Sequence, residues 1–116
     1  MTSRTHNLTY TNRRYLDAIA DHVVIFDGAT GTNIQRLNLK SEDYGGERYN
    51  GLNEHLVLTK PEVLENLHAS FLSVGSEAVE TCTFRGNRLT LGEFGLSDKT
   101  LEINRQAARI ARRVCD

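Results

Sequence analysis

Two short stretches of this 116-residue chain carry side chains whose types suggest chemistry. In the first, Asp27 ends an apolar run and is followed by Gly28, Thr30 and Gly31. In the second, Glu80, Thr81, Cys82 and Thr83 follow one another. An acid at each place supplies a charge-assisted partner for a substrate ammonium group. The glycines let backbone N–H groups approach a carboxylate, because no Cβ stands in the way. Ammonium and carboxylate partners together are what a free amino acid requires. Asp-Gly followed by small residues is also ordinary turn chemistry, so a plain turn competes with this reading.

Strands are the elements that would position these residues. The continuous apolarity of "VVIF" (23–26) suits a strand covered on both faces. A second strand is expected over 77–84, with Glu80, Cys82 and Phe84 on one side and Thr81 and Thr83 on the other. Helices are expected around them. Leu16, Ile19 and Ala20 share a face over 15–21, and Ile34 and Leu37 do so after the glycine turn. Residues 39–58, with Gly45, Gly46 and Gly51, read as a long excursion loop of the kind that is often functional. A helix over 61–74 is marked by capping-box spacing of Thr59 and Glu62, by Pro61 in its first turn and by Gly75 as a left-handed cap. Its expected buried stripe is Leu64, Leu67, Phe71 and Leu72. Ile103, Ala107, Ile110, Ala111 and Val114 predict an amphipathic helix over 99–114.

Strand, helix, strand, helix predicts an α/β fold with right-handed crossovers, whose chemistry gathers at the C-terminal ends of parallel strands. Two parallel strands cannot cover their own faces, so the chain reads as the opening of a larger α/β structure. Self-association of a short natural protein is the alternative.

Composition narrows the function classes. The chain is 39% apolar and 25% charged, and 14 basic residues oppose 15 acidic ones. That balance gives no electrostatic case for nucleic acid or an anionic membrane. Arg105, Arg109, Arg112 and Arg113 read as a solvated helix face. No run nears the roughly 18 apolar residues of a membrane span, and no signal-peptide core is visible. Residues 1–14 are acid-free and read as a loosely attached tail, with a faint likeness to a transit sequence. Two cysteines make no disulfide framework, which points to a reducing cytoplasm. His6, His22, His55 and His68 lack metal-ligand spacing, and His68 is expected to be partly exposed. Cys82 reads as a small buried hydrophobe and Cys115 as a bystander.

In order, "DGATGTNIQRL", "EDYGGERYNGLNEHLVLTKPEVLENLHASFL", "ETCTFRGNRLTL" and "INRQAARIAR" closely resemble the homocysteine-binding domain of the cobalamin-dependent methionine synthases. These belong to the homocysteine S-methyltransferase family. The resemblance covers about residues 20–116, and "SEDYGGERYNG" with the following "LTKPE" is its most specific part. Other homocysteine S-methyltransferases share the aspartate–glycine turn and the "ET.TF" strand but lack much of that loop.

The resemblance implies a TIM barrel, of which this chain would hold the first βα units. Residues 1–14 would be a tail and 15–116 an incomplete homocysteine-binding barrel domain. It implies methyl transfer to the sulfur of homocysteine, giving methionine. A zinc ion held by three cysteine thiolates would bind that sulfur. Free thiols titrate near about 8.5, and coordination keeps the nucleophile deprotonated. The methyl donor would be methylcobalamin on another domain, recharged from methyltetrahydrofolate on a folate domain. The family's zinc cysteines include an adjacent pair on later strands, and this chain has no such pair. Cys82 stands where the family usually has asparagine. Substrate contacts are therefore expected from Asp27, Gly28, Thr30, Gly31, Glu80, Thr81 and Thr83, with no catalytic residue or metal ligand, and the 116 residues alone are expected to be inactive. Alternatives are a cobalamin-independent methyltransferase using betaine or S-methylmethionine, and a non-catalytic short product.

Overall fold

The two strongest helical periodicities become the two long helices of a computed structural model that describes residues 12–116. In chain order the helices are α1 (Arg14–Asp21), α2 (Gly31–Gln35), α3 (Leu56–Thr59), α4 (Pro61–Ser73), α5 (Arg88–Gly92) and α6 (Thr100–Cys115). Pro61 opens α4, where its missing N–H has no intrahelical partner to lose. α6 buries Ile103, Ala107, Ile110 and Ala111, the stripe expected from its spacing. It packs along α4, and α3 contacts both. Leu52, Leu56, Val57, Leu64, Leu91, Ile103 and Ile110 are fully excluded from solvent and form the centre of the core. α5 was not expected. Asn87 starts it by accepting a hydrogen bond from the Thr90 N–H at 3.0 Å.

Residues 39–58 are not the excursion loop that their glycines and polar groups suggest. They form three 3₁₀ turns, Ser41–Tyr44, Glu47–Tyr49 and Asn53–His55, and run into α3. Tyr44 and Leu52 enter the core from here. The first turn ends at Gly45, whose φ of 99° places it in the left-handed region. His55 Nδ1 donates to the Tyr44 carbonyl at 2.6 Å, closing this segment on itself. Asp43 joins it to α4, accepting from the Lys40 N–H at 2.8 Å and from Lys60 Nζ at 2.9 Å. The Thr59–Glu62 capping box does not form. Thr59 Oγ1 donates to the Asp43 carbonyl at 2.7 Å, and Lys60 stands at the N-cap without a side-chain bond.

The α/β expectation is overturned. The described residues form a helical fold without a sheet, in which segments 23–27 and 77–80 meet through one parallel bridge, Phe26 to Ala78. They do not form the opening units of a TIM barrel. The hydrogen bonds show why the ladder stops. Glu77 N and Ala78 N donate to the Ile25 carbonyl at 2.7 and 3.2 Å, and Asp27 N donates to the Ala78 carbonyl at 2.9 Å. The next rung would take the Glu80 N–H to the Asp27 carbonyl. That N–H goes instead to the Asp27 carboxylate, 3.2 Å from each oxygen. On the other side, the Ser76 N–H is committed to the Phe71 carbonyl at the end of α4, where Gly75 takes the expected positive φ (110°). The Ser76 and Glu80 N–H groups that would extend the ladder are therefore both committed to other acceptors. Beyond Glu80 the chain turns, with Thr83 N bonded to the Thr81 carbonyl and Gly86 N to the Thr83 carbonyl, each at 2.9 Å.

Smaller differences follow from packing. α1 buries no residue, and Leu37 lies past the end of α2, 55% exposed. Of the expected α4 stripe only Leu64 is fully buried, while Val63 and His68 are buried beside it. The expected tail lies outside the described residues up to residue 11, and Arg14 already belongs to α1. Among the described residues no helix is long and apolar enough to cross a membrane.

Candidate functional site

A cavity of about 330 Å³ opens between the 28–31 turn, the Asn53–His55 turn and the segment 80–85. Six of the seven sequence-expected site residues line it: Gly28, Thr30, Gly31, Glu80, Thr81 and Thr83. Asp27 does not; its carboxylate accepts from the Glu80 N–H. The 28–31 turn is held by Asn33 Nδ2, which donates to the Ala29 carbonyl at 2.6 Å, and by the Ile34 N–H, which donates to the Thr30 carbonyl at 3.0 Å. Gly28 is constrained by packing rather than by backbone conformation. Its φ is not positive, and a Cβ there would stand 3.3 Å from the Phe71 ring.

The expected strand alternation does not survive in the second segment. The Thr81 and Thr83 hydroxyls are 2.8 Å apart and hydrogen-bonded, while Cys82 is 5% exposed and Phe84 is 94% exposed. The turn after Thr83 leaves the Phe84 ring exposed while Cys82 is buried, although both residues line the cavity. Burial, with the Glu54 carboxylate adding to it and Arg85 opposing, pushes the Cys82 thiol up to about 12. A thiol so raised stays protonated at neutral pH.

Three lining residues were not foreseen: Asn53, Glu54 and Arg85. Glu54 is 4% exposed, and its Oε1 accepts from Arg85 Nε at 3.1 Å. Arg85 Nη2 also donates to the Gly51 carbonyl at 2.8 Å. The signal for Glu54 lay in plain view, an acid between Leu52 and Leu56 where a buried charge needs a partner, but the partner is 31 residues away. His68, expected to be partly exposed, is 3% exposed, and its Nδ1 has no hydrogen-bond partner among the described residues. Its burial holds the imidazole below the ordinary histidine range, with the nearby Asp27 charge pulling the other way.

Among the described residues no three histidine, cysteine or acidic side chains come together as a metal site. Cys82 is the one cysteine lining the cavity and no histidine stands beside it there, so these residues do not fit the three-thiolate zinc site that the resemblance implies. What the cavity offers is polar recognition: the Glu80 acid, three threonine hydroxyls, glycine backbone and the Glu54–Arg85 ion pair.

The chain is 39% identical over 101 residues to the methionine synthase of Mycobacterium tuberculosis (strain ATCC 25618 / H37Rv). It is 39% identical over 101 residues to that of Mycobacterium leprae (strain TN). Each match covers 87% of this chain but only 8% of the relative's length. The homocysteine S-methyltransferase family profile matches residues 24–116, spanning both segments of the cavity and the helices behind them. This chain belongs to the homocysteine S-methyltransferase family.

Proposed function

We propose that this chain supplies part of the homocysteine-binding region of a methionine synthase, and that the cavity takes the amino-acid end of homocysteine. The observation that carries this reading is the convergence of Gly28, Thr30, Gly31, Glu80, Thr81 and Thr83 on one cavity in a chain of this family. Its volume lies at the small end of the roughly 300–1,000 Å³ typical of small-molecule sites, which suits an amino acid better than a large cofactor. Glu80 partners the ammonium group. The threonine hydroxyls and the 28–31 backbone supply further hydrogen bonds. Asp27 acts through Glu80, by fixing the backbone from which that side chain projects.

The reaction of the whole protein is methyl transfer to the homocysteine sulfur, with zinc binding that sulfur and methylcobalamin as donor. Its setting is a reducing cytoplasm, and the folate and cobalamin domains belong to the same larger protein. In this reading the chain's share of the work is to bind and orient the amino acid. Titrating homocysteine into isotopically labelled chain tests this directly. Resonances of residues 28–31 and 80–85 should shift together and saturate. Shifts confined to other regions, or none at all, would refute the reading.

A further inference from the structure

We infer that the outer face of α6 docks an acidic helix of a partner protein, with Arg105 and Arg109 meeting two of its carboxylates. α6 carries four arginines, and the structure divides them into two pairs. Arg112 lies 3.5 Å from Asp116, and Arg113 lies 3.5 Å from Glu65. Arg105 and Arg109 have no ion-pair partner among the described residues. They stand about one helical turn apart on a cavity of about 330 Å³ between the end of α3 and the first turns of α6. Its apolar lining is Leu58, half-buried, and Leu101, which is 67% exposed.

Charge alone makes a solvated face, whereas an apolar hollow beside two free guanidiniums combines what an interface uses. A free phosphate offers nothing to Leu58 and Leu101. A helix with carboxylates four residues apart and an apolar side chain four further matches the row Arg109, Arg105, Leu101, because side chains at that spacing share a face. Running antiparallel to α6, it carries its acids toward its own N-terminus, where the helix dipole favours them. A second copy of this chain fits less well. Glu102 is already held by Lys99 at 3.3 Å, so each copy brings one uncommitted acid, Asp98, to the cavity against two free arginines. α6 is held from behind, since Ile103, Ala107 and Ile110 are buried in the core. Its outer residues can therefore change without unpacking it.

The probes are two alanine-rich helical peptides, one carrying Glu-x-x-x-Glu-x-x-x-Leu and the other with lysines in place of the glutamates. Each is labelled with a fluorophore and titrated with the full 116-residue chain at low ionic strength, with anisotropy as the readout. The glutamate peptide should bind saturably and the lysine peptide about tenfold more weakly, since an exposed ion pair is worth up to about fivefold. Added salt should weaken the glutamate peptide. Arg105→Glu with Arg109→Glu should reverse the preference. Arg105→Gln with Arg109→Gln should abolish it, and decides the matter if the first pair does not fold. Leu101→Ala should weaken the glutamate peptide several-fold. An unchanged preference in either folded double variant, equal affinity for the two peptides, or no saturable binding overturns the inference. Self-association of the unmodified chain that these double variants abolish assigns the face to a second copy, and overturns it as well.

Discussion

At the scale of single residues, Asp27 and Cys82 show how a recognisable side chain can serve the backbone or the interior. Asp27 is an acid at the end of an apolar run, and both of its carboxylate oxygens hold the Glu80 N–H. Asparagine can still accept that bond through one oxygen, whereas alanine cannot. Asp27→Ala should therefore lower stability by about 1 kcal/mol, and Asp27→Asn by less. Denaturant midpoints of the two variants check this, and an equal loss in both would point to the charge instead of the hydrogen bond. Cys82 was legible as a buried small residue because its neighbours gave it no ligand spacing. Its raised thiol makes a second prediction. Folding stability from the protonated thiol should be complete below about pH 9, its ordinary value, and be lost as pH rises toward 12. At pH 8 iodoacetamide should alkylate exposed Cys115 and spare Cys82 until the chain is unfolded. Mass spectrometry of the two cysteine peptides reads the order of reaction.

At the scale of elements, the sequence spoke clearly where structure is local. α4 and α6 were readable because their apolar positions repeat every three or four residues, and that period survives packing. The strands were misread for the opposite reason. The apolar run at 23–26 and the mixed segment 77–84 resemble strands, but a ladder depends on whether distant N–H groups are still available. Here the Ser76 N–H belongs to α4 and the Glu80 N–H to a side chain. Segment 39–58 looked like a loop because glycine and charge hid its few core residues. Gly45 tests whether that segment is fixed. Alanine at φ 99°, with its Cβ 3.1 Å from the His55 ring, should cost about 1–2 kcal/mol. A thermal midpoint unchanged by Gly45→Ala would mean the turn yields without penalty.

A second element-scale device joins α1 to the bridge. His22 Nε2 lies 2.5 Å from Glu77 Oε2, and Nδ1 lies 3.1 Å from Asp21 Oδ2. The Glu77 hydrogen bond, then the Asp21 one, raises the imidazole above its ordinary 6.5. The stabilisation is full below pH 6.5 and lost as pH rises through the higher folded value. Subtracting the pH profile of His22→Gln from that of the unmodified chain should isolate a loss in that window. A flat difference between pH 6 and 9 would show that the contact does not hold in solution.

For the whole molecule, the exposed apolar surface is the dominant unsolved energy. Val23 is 87% exposed, Ile25 57% and Phe26 45%, all on the segment that makes the single bridge. α1 beside it buries nothing, and Tyr15, stacked edge-on against Phe26 at 6.2 Å, is itself 52% exposed. Tyr15, Val24, Phe26 and Val79 also line a separate cavity of about 690 Å³. Monomeric proteins rarely leave contiguous apolar surface of this kind uncovered, and an extended segment with unpaired N–H and C=O groups adds a template for pairing. The net charge of −1 offers little repulsion against association. The 116-residue chain should therefore self-associate through this face as its concentration rises. Val23→Lys with Ile25→Lys adds charge where burial is slight, so the double variant should remain monomeric with its helical content unchanged. Sedimentation velocity over a hundredfold concentration range, paired with circular dichroism, separates the outcomes. A concentration-independent monomer in the unmodified chain would show that this face tolerates water unaided. Equal association by the lysine variant would move the contact elsewhere, with fully exposed Phe84 and Leu89, at 94% and 87%, as the next surface to change.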